Sequence, residues 1–113
     1  MSDRALDALA QVLEHGGEPD DVLREFVATL TAQPGIAWAG VAFLEEGRLV
    51  LGPEAGDPDE RRRMSVPVEF QGEQVGELRI DGIADRAFLD RVAALVSAHV
   101  LIGWDTGGHA WEP

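Results

Sequence analysis

The chain has no cysteine and no lysine among its 113 residues. Without cysteine it cannot form disulfides, hold a metal through thiolates or attack a substrate with a thiol. All its basic side chains are arginine, and 9 of them stand against 21 acids for a formal net charge of -12. Nucleic-acid binding draws affinity from basic groups that displace counterions from phosphates, so this balance argues against a nucleic-acid partner. The acidity suits a solvated surface that keeps the protein dispersed. No apolar run approaches the ~20 residues that cross a bilayer. Met1-Ser2-Asp3-Arg4 lacks a charged-then-apolar leader pattern, so no membrane partner and a cytoplasmic location are expected.

Familiar catalytic and metal patterns are also missing. Ser2, Ser65 and Ser97 are the only serines, and none lies in a Gly-x-Ser-x-Gly turn. His15, His99 and His109 are far apart and show no ligand spacing. His99 is expected to be a hydrogen-bonded core or interface residue. Asp57, Asp59 and Glu60 match no calcium-loop spacing, so no metal and no cofactor are expected. On these grounds the chain reads as a non-enzyme.

What is present is a strong architectural pattern. Ile36–Leu44 is apolar or small at odd and even positions alike, which marks a central strand covered on both faces. Glu45-Glu46-Gly47 turns it into Arg48–Leu51, and Gly52-Pro53 is expected to stop that second strand. Two helices precede this hairpin. The first, with Ser2 as its cap, carries Leu6, Leu9 and Leu13 at helical spacing and ends at Gly16-Gly17. The second opens on Pro19 and carries Val22, Leu23, Phe26, Val27 and Leu30.

Glu54–Arg63 reads as a long polar loop, in which Arg61, Arg62 and Arg63 are expected to neutralise Asp57, Asp59 and Glu60. A second hairpin follows, Met64–Phe70 and Gln74–Asp81, with Pro67 marking an edge and Glu77 and Arg79 on a wet face. Gly76 is expected to serve close packing. Asp85 caps a terminal helix from Arg86 to about Trp104 that is apolar nearly all round. Its second face, Leu89, Ala93, Val100 and Trp104, is expected to meet another subunit in a homodimer. One domain, 1–104, and a flexible tail, 105–113, complete the layout.

The order helix, helix, hairpin, loop, hairpin, helix resembles a GAF domain. The resemblance rests on the central hairpin, on Val66-Pro67-Val68 followed by Gln71-Gly72 and Val75–Ile80, and on Phe88 opening the last helix. It implies an α+β fold, a GAF/PAS-like antiparallel sheet flanked by N-terminal helices and a long C-terminal helix. A PAS-like or roadblock-like fold is the alternative. Trp38–Leu44 and Leu49–Gly56 are similar to the hairpin of free methionine-R-sulfoxide reductases, whose chemistry needs cysteines that this chain lacks. Ligand-enclosing GAF domains have a longer excursion between the hairpins, so a shallow or open pocket is expected. Its candidate walls are Trp38, Phe43, Met64 and Phe70, with Arg61, Arg62 and Arg63 at the mouth; Trp38 and Phe43 must point to opposite faces. The resemblance implies a non-catalytic regulatory or sensory module, dimeric, that binds an unknown small molecule or a protein partner. A structural adaptor without a pocket and a weak cysteine-independent enzyme are the alternatives.

Overall fold

The computed structural model describes residues 3–107. Its elements run α1 (Asp3–His15), α2 (Pro19–Thr31), β1 (Ile36–Glu45), β2 (Arg48–Gly56), a 3-10 turn (Glu60–Arg62), β3 (Arg63–Phe70), β4 (Glu73–Gly82) and α3 (Arg86–Gly107). The four strands form one antiparallel sheet in the order β2-β1-β4-β3. The fold is α+β, as the sequence predicted. None of the described helices is long and apolar enough to cross a membrane.

Both hairpins close through two-residue turns. Glu46 and Gly47 have φ of 51° and 81°, and Gln71 and Gly72 have 53° and 84°. Positive φ at both central positions matches the twist of the flanking strands.

All helices lie on one side of the sheet. α2 covers the β1–β2 half, α3 covers the β3–β4 half, and α1 packs across both helices. The core between the layers holds Leu9, Leu23, Phe26, Val27, Leu30, Val41, Val68, Ile80, Val92, Val96 and Val100, all 0 % exposed. Burying one such side chain contributes about 1.5–3 kcal/mol.

α3 is apolar on two faces because it is squeezed between the sheet and the other helices. Leu89, Ala93 and Val100 belong to this same core. They have no surface to offer a second subunit, which corrects the interface expected from the sequence. The side chain of Trp104 lies outside the described residues, as do Ser2 and Trp111. α3 runs past Trp104 to Gly107, so the first residues assigned to a tail continue the helix.

Two strand irregularities shape the rest. Gly40 pairs with Glu54 and Ala42 with Leu51, so Gly52 and Pro53 together oppose Val41. This is a β-bulge, and it tolerates a proline within an edge strand. The strand therefore passes through the expected Gly-Pro stop and carries Glu54 into the sheet. In the second hairpin Val68 pairs with Gly76 but Glu69 pairs with Gln74, leaving Val75 as the extra residue.

Candidate site on the open face of the sheet

Side chains alternate across a strand, so those pointing away from the helices form a second surface. The registers align that surface in rows. Gly56, Trp38, Asp81 and Arg63 form the first row; Glu54, Gly40, Arg79 and Ser65 the second; Leu51, Ala42, Glu77 and Pro67 the third. The face thus combines an aromatic ring, three carboxylates and two guanidinium groups around a floor of Gly40 and Ala42.

Trp38 lies along the floor. A Cβ added at Gly40 would come within 2.7 Å of its Cη2 and 3.0 Å of Leu51 Cδ1. The indole is 1 % exposed. Its Nε1–H donates to Glu54 Oε1 at 3.0 Å. Arg63 covers the ring with its guanidinium carbon 4.4 Å from the ring centroid, a cation–π contact that strengthens as water is excluded.

Asp81 anchors the row. It is the sole polar or charged residue among the buried side chains of the described core. Arg63 donates through Nε at 2.7 Å and Nη2 at 2.9 Å, and the backbone N–H of Asp59 donates at 2.7 Å. The fork from Arg63 is bidentate and charge-assisted. The bonds from Arg63, aided by that of Asp59, hold the Asp81 carboxyl below its ordinary pKa against the opposing effect of burial. Arg63 is held above its ordinary value in return, with the hydrogen bond to Asp81 the largest cause. On the same face, Arg79 Nε donates to Glu77 Oε1 at 2.6 Å.

The loop after β2 ties this constellation down. Asp57 N–H donates to Ala37 O at 2.9 Å, and Arg62 N–H donates to Asp59 O at 2.9 Å. Arg61 stays exposed and reaches Asp59 at 3.5 Å. Arg63 instead crosses to Asp81, so among the described residues Arg61 is the member of the arginine run that forms an ion pair with one of the acids beside it. Arg62 is exposed.

Of the candidate pocket residues, Trp38 and Arg63 meet on the open face. Phe43 and Met64 pack against the core under the helices. Phe70 is half-buried at the end of β3, away from Trp38 in register. The sequence reading missed Glu54 and Asp81. Among the described residues, no cluster of three or more His, Cys, Asp or Glu could hold a metal ion. His99 was expected to be hydrogen-bonded, but its Nδ1 is buried and has no partner among the described residues.

No family model matches the chain, and no curated protein matches it. Solved structures do. The GAF domain of an Acinetobacter phosphoenolpyruvate-protein phosphotransferase is similar with a TM-score of 0.73 and 16 % identity, over 96 % of this chain and 100 % of that one. The fRMsr of Staphylococcus aureus, in complex with its substrate, is similar with a TM-score of 0.70 and 19 % identity, over 87 % of this chain and 94 % of that one. A type II free methionine-R-sulfoxide reductase from Thermoplasma acidophilum gives 0.62 and 20 %, over 73 % and 91 %.

The chain therefore has a GAF-like fold. The reductases also correct the reading of the chain as a non-enzyme. Enzymes are built on this fold, so the lack of a familiar catalytic motif no longer argues against activity.

Proposed function

We propose that the chain is a GAF-like binding module that takes a small zwitterionic solute, of the free amino-acid class, on the open face of its sheet. The arrangement of Glu54, Trp38, Glu77 and Arg79 around the Gly40–Ala42 floor carries this reading. Carboxylates at Glu54 and Glu77 answer an ammonium group, and the Arg79 fork answers a carboxylate. Leu51, 39 % exposed beside the covered indole, gives an apolar side chain its contact. Structural similarity to a reductase in complex with its substrate supports a binding role for the fold. The sensory role expected from the sequence would rest on this binding.

The test is an NMR titration that follows the Trp38 indole N–H with free amino acids, free methionine-R-sulfoxide included. A shifting Trp38 signal is expected. Glu54→Gln keeps an acceptor for the indole but removes the charge, and it is expected to weaken binding about tenfold, as suits a lost charge-assisted bond. A Trp38 signal indifferent to millimolar concentrations of every solute would overturn the proposal. Turnover is assayed in the same series, with methionine-R-sulfoxide and a dithiol in solution, because the chain has no thiol of its own.

A further inference from the structure

The outer edge of β2 is apolar, and its geometry is self-complementary. Leu49, Val50 and Leu51 are 36 %, 44 % and 39 % exposed on an edge strand. Such an edge offers unpaired backbone groups to another strand. The two-residue turn makes Glu45–Arg48 the bonded closing pair of the hairpin. Bonded and non-bonded pairs alternate from there, so Phe43–Val50 is bonded and Leu44–Leu49 and Ala42–Leu51 are not. The N–H and C=O groups of Leu49 and Leu51 therefore point outward, away from β1.

We propose that this edge pairs antiparallel with the β2 of a second copy about a two-fold axis at Val50, each Arg48 entering a groove on the other copy. In this register Leu49 of one chain faces Leu51 of the other, and the outward groups of both meet. Val50 faces its own counterpart as the non-bonded pair. Arg48 then falls opposite Gly52 of the second copy.

Gly52 lines a groove of about 300 Å3 with Asp20, Arg24, Phe43 and Pro53. Arg24 in that groove is engaged by Asp21 at 2.7 Å. The Phe43 ring fills the space above Gly52, so the incoming Arg48 would lay its stem across that ring and reach Asp20 in the same groove. The ion pair forms twice by symmetry. On the opposite face, Leu49 and Leu51 from both copies join into one apolar strip.

The contact is short and falls below the ~1,200 Å2 of a standard interface, so association is expected to be concentration-dependent. Analytical ultracentrifugation across a dilution series of the full chain tests it. Leu49→Pro removes an outward N–H and leaves the β1–β2 ladder intact. With an unchanged circular dichroism spectrum, it is expected to weaken dimerisation at least tenfold. R48E and D20R are each expected to do the same, and the double variant R48E/D20R to restore association. A wild-type chain that is monomeric at about 1 mM, a concentration that detects an association with a Kd of that order, overturns the proposal. A dimer that survives both Leu49→Pro and R48E overturns it too, and points to a helical interface. Should Leu49→Pro unfold the chain, the restoration by R48E/D20R decides: its absence overturns the pairing.

Discussion

Replacing Asp81 by asparagine keeps the side chain's shape and removes the charge that Arg63 and the Asp59 amide converge on. The new carboxamide would turn either a weaker oxygen or its own N–H groups toward the guanidinium. Breaking a buried ion pair from one side costs about 3–5 kcal/mol. Arg63 retains 28 % exposure and can recover some hydration, whereas Asp81 has none, so we expect about 3 kcal/mol for D81N. In a chain of this size that lowers Tm by about 10–15 °C. Urea unfolding of wild type, R63M, D81N and the double variant measures the coupling directly. The double variant is expected to lose at least about 1.5 kcal/mol less than the sum of the singles, because each single strands a charge or a donor.

The pH dependence gives a second readout. The Asp81 carboxyl is held below its ordinary value of 3.8 in the folded chain. Its contribution is therefore full above the unfolded value and is lost as pH falls through the lower, folded one. D81N removes this part of the acid slope. If wild type and D81N lose stability in parallel on acidification, or if D81N costs less than about 1 kcal/mol, the ion pair does not hold this end of the sheet.

Two glycines give further tests. Gly40→Ala drives a methyl group into the Trp38 ring, and overpacking costs about 1–3 kcal/mol. A shifted Trp38 indole N–H signal checks that the ring is what moves. Gly56→Ala meets a harder obstacle, since φ there is +94° and the new Cβ would come 2.2 Å from Ala37 O. Strain and clash together should cost more than about 2 kcal/mol in urea unfolding; a neutral result would mean that β2 does not end there as described.

The helices and both hairpins were legible because local patterns specify them: leucines at helical spacing, a Gly-containing turn between apolar runs, and a proline that marks an edge. The site was legible only in part. A straight second hairpin closed at Gln71-Gly72 would set Arg63 opposite Ile80; the extra residue Val75 moves it to Asp81. Nothing local in the sequence announces that slip. Glu54 was hidden in the same way, since Gly52-Pro53 resembles a stop until Val41 is seen to oppose both residues. The two faces of α3 were read as core and interface because amphipathic pattern reports burial and cannot say what does the burying.

The bulge at Gly52-Pro53 sets the reading frame of β2. Upstream of it, Leu49 and Leu51 look away from the helices; downstream, Glu54 does so and Ala55 packs inward. Paired straight, without the bulge, the same residues would set Glu54 opposite Ala39 and Ala55 opposite Trp38, driving a carboxylate toward the core and a methyl group onto the charged face. One extra residue lets a single strand offer an apolar edge at one end and an acid for the open face at the other.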